Sequence, residues 1–231
     1  MTTGAASGVA PSAGWLGRFY GSVIGKKVVM ALTGIVMVGF VTVHMSGNLL
    51  AYKSAASLDA YAAFLKSSAV VLWGTRLILL GSVVLHVHAA FSLSRLAAKA
   101  RPSRYAALHR QASTWSARVM RTGGVVLAAF IVFHILHFTT GTILPSRFVE
   151  GGVYGNVLQS FSIAWVAAFY VVAMVALAFH LHHGVWSVFQ TLGASHPNLR
   201  GARRGLALLL AVAIPLGFVA VPLGVAFGLL R

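Results

Sequence analysis

Eight of the ten histidines in this 231-residue chain stand inside long apolar stretches. They are His44, then His86 with His88, then His134 with His137, then His180 with His182 and His183. An ionisable side chain at membrane depth is expensive to keep there, so its presence marks function. Imidazoles brought to a common depth by separate helices are suited to gripping a metal, and in a bilayer that metal is most often haem iron. The chain has no cysteine. It can therefore hold neither an iron-sulfur cluster, nor a thioether-linked haem, nor a disulfide, and any such cluster belongs to a partner.

The elements that must carry these histidines follow from hydropathy. Apolar residues make up 58% of the chain and charged residues 9%, and the mean hydropathy is +0.86. These values lie outside the range of soluble globular domains and define an integral membrane protein. Five stretches are long enough to cross a hydrocarbon core of about 30 Å, which takes about 20 helical residues. They run roughly from Val28 to Leu50, Val70 to Leu96, Val119 to Thr140, Ile163 to Val188 and Leu206 to Leu230. Their apolar runs are continuous and not alternating, so the reading is an all-α bundle of five transmembrane helices and not a β-barrel. Residues 1–14 are rich in Thr, Gly, Ala and Ser and lack the basic start and apolar core of a secretory signal, and are expected to be a disordered tail. Residues 15–231 read as one domain without internal repeat.

The net charge of +16 is broken up by apolar spans and does not make a nucleic-acid surface. It sets orientation instead. Arg18, Lys26 and Lys27 precede the first span; Arg95, Lys99, Arg101, Arg104, Arg110, Arg118 and Arg121 lie around the second connection; Arg200, Arg203 and Arg204 lie before the fifth span. These thirteen of the 18 basic residues share one side, whereas the only acidic residues, Asp59 and Glu150, fall on the other. The positive-inside rule makes the basic side, with the N-terminus, cytoplasmic.

Counting at 1.5 Å per residue puts His44 about 25 Å beyond Lys27 and His134 about 20 Å beyond Arg121, and His86 about 13 Å before Arg95 and His180 about 15 Å before Gln190. Two levels, each with a histidine from two helices, is the arrangement for two stacked bis-histidine b haems, with four helices forming the haem-binding bundle. The fifth span has no histidine and is expected to pack. Two neutral imidazoles fill both axial positions, which suits electron transfer and not oxygen chemistry. Gly47, Ala89, Ala90 and Gly184, close after proposed ligands, are candidates for the small residues that a flat macrocycle needs, although small residues also serve simple helix packing. His88 and His182 sit two positions after a ligand and point about 200° away, so they would ligate only if their helices were rotated. His137 and His183 stay near the ligand's face and are suited to bonding a propionate, a quinone carbonyl or neighbouring backbone. Arg76, Arg118 and Arg121 could pair with propionates or simply snorkel to the interface.

Four phrases also resemble a known family. VTVHMSGNLLAY (Val41 to Tyr52), LHVHAAFSLSRLAAKARP (Leu85 to Pro102), RVMRTGGVVLAAFIVFHILHFTTG (Arg118 to Gly141) and FYVVAMVALAFHLHHGVWSVFQTLGASHP (Phe169 to Pro197) are similar to the ligand-bearing helices of the di-haem cytochrome b membrane anchor of succinate:quinone oxidoreductases, succinate dehydrogenase or fumarate reductase. The resemblance runs from about Gly25 through Pro197. It implies that the ligands are the first histidine of each phrase, His44, His86, His134 and His180, with the first helix paired to the third and the second to the fourth. It further implies a flavoprotein subunit with FAD and the dicarboxylate site, an iron-sulfur subunit docked on the basic loops with His109 and His196, and menaquinone or ubiquinone as substrate, in the cytoplasmic (inner) membrane of the cell. No catalytic dicarboxylate residue is expected in this chain.

A quinone site would draw on Ser46, Asn48, Asp59 and His137 on the outer side or His183, Trp186 and His196 on the inner, although an acid in an outer loop such as Asp59 is more often a helix cap or a solvated residue. Two other classes stay open: the cytochrome b anchor of another quinone-linked enzyme of formate dehydrogenase or nitrate reductase type, and a histidine-based metal or proton transporter. Against transport, the histidine-bearing spans have no proline, and Pro215 and Pro222 interrupt only the fifth.

Overall fold

The computed structural model describes residues 14–100 and 115–231. The tail expected over residues 1–14 lies almost wholly outside the described residues, as do His109, Arg101, Arg104 and Arg110. The described chain is helical, with no strand. Five helical segments, Val23–Tyr52, Ala69–Lys99, Trp115–Thr139, Ala164–Thr191 and Pro197–Ala226, are long and apolar enough to cross a membrane. The chain is thus a multi-pass all-α membrane protein, as its hydropathy predicts.

The helices in chain order are α1 (Trp15–Gly21), α2 (Val23–Asn48), α3 (Ala55–Lys66), α4 (Ala69–Lys99), α5 (Trp115–His134), α6 (Val153–Phe161), α7 (Ala164–Thr191) and α8 (Arg200–Ala226). Serines open three of them. Ser22, Ser54 and Ser68 are N-caps whose hydroxyls accept from the amides of Gly25 (2.9 Å), Ser57 (3.1 Å) and Val71 (3.4 Å), each satisfying a donor that the first turn leaves free. The short helices α1, α3 and α6 are too brief to span and lie beside the ends of the long ones. Asp59 on α3 accepts from the amide of Tyr154 at the start of α6 (2.8 Å), tying the two short helices together. This is the work of Asp59 in the fold. It is a carboxylate cap on a helix start.

α2 and α7 form the centre. α2 packs on α4, α7 and α8, and α7 packs on α5 and α8. By contrast, the backbones of α2 and α5, and those of α4 and α7, hardly approach each other. These are the diagonals of the bundle. Much of the outer surface is apolar, with Leu77, Ile78, Val125, Val172, Leu209 and Leu216 exposed, as lipid-facing helices require. One packed cluster joins Ala51, Phe161, Val166, Tyr170 and Val221 near the α3 and α6 end, and a second joins Leu181, Ala211 and Ile214 further along α7 and α8.

α8 continues through Pro215 and Pro222, which neighbouring helices make tolerable inside a membrane. It docks on α2 by close approach: a Cβ at Gly217 would strike Met45 and one at Gly224 would strike the Tyr52 hydroxyl. Tyr52 donates to the carbonyl of Ala220 (2.6 Å), fixing the end of the first span to the fifth.

Candidate functional site: two histidine pairs across the bundle

The two diagonals are where the histidines meet. His44 on α2 and His134 on α5 have ring centres 5.9 Å apart with planes at 76°. His86 on α4 and His180 on α7 have ring centres 6.2 Å apart with planes at 54°. Neither pair is face-stacked, and all four rings are half-buried. An iron held between two imidazole nitrogens at about 2 Å each puts the ring centres about 6 Å apart. Both pairs meet that spacing, and both lie between helices whose backbones stand apart.

Hydrogen bonds orient part of this set. His86 Nδ1 lies 3.0 Å from the Met30 carbonyl and 3.2 Å from the Thr33 hydroxyl. A carbonyl only accepts, so Nδ1 carries the proton and Nε2 keeps its lone pair, the tautomer that binds a metal through Nε2. His134 Nδ1 lies 3.3 Å from the Tyr170 hydroxyl. His180 Nδ1 is buried without a hydrogen-bond partner, and a buried polar atom left so is an exception in folded proteins. Beside His86, a Cβ at Gly34 of α2 would stand 3.6 Å from the ring; beside His180, a Cβ at Gly124 of α5 would stand 3.8 Å from the ring. Gly34 and Gly124 each lie ten positions before a histidine of the other pair, His44 and His134. Ten helical residues rise about 15 Å, so both helices place the two pairs at levels about 15 Å apart. Each of α2 and α5 therefore presents a histidine at one level and a bare backbone at the other.

The small residues expected beside the ligands are placed differently. Gly47 accommodates the ring of Tyr61 from α3, which a Cβ would strike, and Gly184 faces Met120 at 3.9 Å from a would-be Cβ. Ala89 is fully buried. Gly34, Gly124 and Tyr170 take the places beside the histidine pairs, and sequence reasoning missed all three. For Tyr170 a signal existed, since a hydroxyl in the middle of an apolar span has to find a partner.

Three of the four surplus histidines have hydrogen-bond partners. His88 is exposed and stacks on Tyr20 of α1, with the Tyr20 hydroxyl 2.6 Å from its Nδ1. His182 Nδ1 lies 3.1 Å from the Ser116 hydroxyl at the start of α5. His137 is buried, with Nδ1 3.0 Å from the Tyr170 hydroxyl and Nε2 unpartnered. It stands on a π turn, Ile135–Thr139, closed by the Thr140 amide donating to the Ile135 carbonyl at 3.0 Å. π turns inside membrane helices recur at functional positions. His183 is half-buried on α7.

The polar candidates for a quinone pocket are mostly committed. The Ser46 hydroxyl donates to the Thr42 carbonyl (3.0 Å) and His196 Nδ1 accepts from the Asn198 amide (3.3 Å). Trp186 carries the guanidinium of Arg203 over its ring at 5.0 Å and that of Arg204 at 5.7 Å. Arg203 itself is buried and donates to the carbonyls of Ala194, Ser195, His196 and Leu199, so it staples the loop before α8 and is no part of an open basic face. Arg76 and Arg118 fold over Trp73 (5.1 Å) and Trp115 (5.5 Å).

Among the described residues no three His, Cys, Asp or Glu side chains gather into a chelating group; the histidines at the centre meet in twos. Comparison with family models, curated proteins and solved structures finds nothing that matches this chain.

Proposed function

We propose that this chain is the di-haem cytochrome b anchor and electron-transfer subunit of a succinate:quinone oxidoreductase. His44 with His134 would hold one b haem and His86 with His180 the other. The observation that carries the reading is the double meeting of histidines across both diagonals of one bundle, at ring spacings of 5.9 and 6.2 Å. A bare divalent ion takes three or four protein ligands, whereas a porphyrin iron needs only two axial ones. Gly34 and Gly124 support the reading further, because a macrocycle edge needs backbone without side chains beside it.

Bound haem supplies a one-electron iron couple at each level. The chain's residues do the rest. His86 is oriented by the Met30 carbonyl and Thr33, and His134 by Tyr170. The apolar walls of α2, α4, α5 and α7 keep water from the interior, which with ligand identity and second-shell bonding sets a potential. The basic end with Arg200 and Arg204 would face the cytoplasm and receive the iron-sulfur subunit, which in turn binds the FAD-bearing flavoprotein. Quinone, as menaquinone or ubiquinone, would be the partner within the cytoplasmic membrane. Of the outer candidates, His137 alone is buried with a ring nitrogen still unpartnered.

The test is a reduced-minus-oxidised spectrum with a haem count on protein purified in detergent, together with the identity of copurifying subunits. Two b haems and a flavoprotein that oxidises succinate are expected. A colourless polypeptide ends the haem reading, and a partner with formate or nitrate activity moves the chain to a different enzyme.

A further inference from the structure

Tyr170 stands between two histidines of α5. Its hydroxyl lies 3.3 Å from His134 Nδ1 and 3.0 Å from His137 Nδ1. It is fixed there by ring contacts: Phe130 and Phe161 each meet it edge-on with centres 5.0 Å away, and it is buried with them in the cluster at the α3 and α6 end. The π turn after His134 carries His137 to the same hydroxyl. A phenol has one proton to give. It can donate to one imidazole only, and must accept from the other. The two nitrogens are therefore not equivalent, and whatever fixes one tautomer fixes both.

We propose that Tyr170 and His137 form a one-way hydrogen-bond chain that positions His134 as an axial ligand and sets the potential of its level apart from the other. The proposal rests on His134 binding iron through Nε2, as in the function proposed above. Nδ1 of His134 then carries a proton and donates to Tyr170 Oη. Tyr170 in turn donates to Nδ1 of His137, whose own proton sits on Nε2. An acceptor on the far nitrogen of a ligating histidine raises its basicity and favours the more highly charged iron. Donation onward by Tyr170 strengthens its hold on His134, since chained hydrogen bonds polarise one another. The second level is built differently, with Thr33, which donates on to the Val29 carbonyl at 2.8 Å, in place of a tyrosine and a second histidine. There His86 has a backbone carbonyl and a hydroxyl, and His180 Nδ1 has no partner. Tyr170 and His137 are positioning residues in this account, because neither touches the metal site directly.

The experiment is a potentiometric titration of both b haems in the purified complex, followed in the visible α-band, with His44→Ala identifying which component belongs to the His134 level. Tyr170→Phe keeps the ring and removes the hydroxyl. It should leave two haems and shift the ferric/ferrous balance of the His134 component toward ferrous by several-fold up to tenfold, a rise of up to about 59 mV for one electron. The other component should stay put. His137→Leu removes the acceptor at the end of the chain and should shift the same component in the same direction by less, while His137→Gln, which still offers an acceptor, should restore it.

Two haems with an unmoved His134 component in Tyr170→Phe overturn the proposal. If Tyr170→Phe instead loses that haem, the Leu and Gln variants of His137 decide, and equal potentials in those two overturn it. A wild-type complex without porphyrin removes the underlying reading, and the proposal with it.

Discussion

Replacing the four histidines one at a time, and then in pairs, gives a pattern of losses that follows from the geometry. The two meeting points stand about 15 Å apart by helical rise, beyond the roughly 7–10 Å within which neighbouring sites ordinarily couple. Loss at one level should therefore leave the other filled. Within a level the two rings act as one unit, so removing either should cost as much as removing both. Even an outer-shell partner of a metal ligand is worth 10- to 100-fold in affinity, so losing a ligand costs at least about a hundredfold, or about 2.8 kcal/mol. His44→Ala, His134→Ala and the double variant should each fall from about two haems per chain to about one, and the same component should vanish in all three. His86→Ala, His180→Ala and their double should lose the other. His44→Ala with His86→Ala should lose both. The assay is a pyridine haemochrome count normalised to protein, with low-temperature α-band spectra to identify the survivor. The reasoning is refuted if His44 and His86 variants lose the same component, or if His44 and His134 variants lose different ones.

Other consequences can be measured alongside. A Cβ at Gly34 or Gly124 meets only ordinary contacts within the protein, at 3.6 and 3.8 Å, so alanine there should leave the fold intact while lowering occupancy of the His86–His180 level, and leucine at either should remove that component, as read by the same count. Asn156 is buried and binds both the amide and the carbonyl of Val149 at 2.8 Å, so Asn156→Ala should cost about 2 kcal/mol through two lost bonds and two stranded backbone groups, seen as a lowered midpoint in denaturant titration of the detergent-solubilised protein. Arg203→Met keeps much of the side-chain volume but removes every donor to the four carbonyls of Ala194, Ser195, His196 and Leu199; limited proteolysis should then cut between Leu192 and Leu199 faster than in the wild type.

The spans were legible because each is a long apolar run, and the histidine levels because polar residues, basic for three of the four histidine-bearing spans and Gln190 for the other, mark the inner ends. Distance from a marked end converts directly into depth, which is how His44 joins His134 and His86 joins His180. Identifying the small residues beside the rings needed more. Spacing along one helix shows which residues share a face with a histidine, but the backbone beside His86 comes from α2 and that beside His180 from α5. Which helix stands next to which is a tertiary fact, and Gly47, though well spaced from His44, turned out to house Tyr61.

Asp59 was legible in kind, since an acid in an outer loop is commonly a helix cap, but that the helix it caps is α6 and not its own is a tertiary fact. The short helices α1, α3 and α6 fall below the length at which hydropathy speaks. The π turn at His137 leaves no periodic trace in so short a stretch.

The fifth span carries none of the central histidines, yet it supplies Phe218 against His44, with ring centres 5.7 Å apart, and its glycines receive Met45 and Tyr52 of the first span. During synthesis the ribosome delivers α8 after all four histidine-bearing helices. The wall behind His44 is thus missing while those four enter the bilayer, and the earliest helix waits for the latest to be clasped. The surroundings of His44 are thus complete only once α8 has been made, so an interrupted chain would carry all four central histidines and still lack the wall behind the first of them.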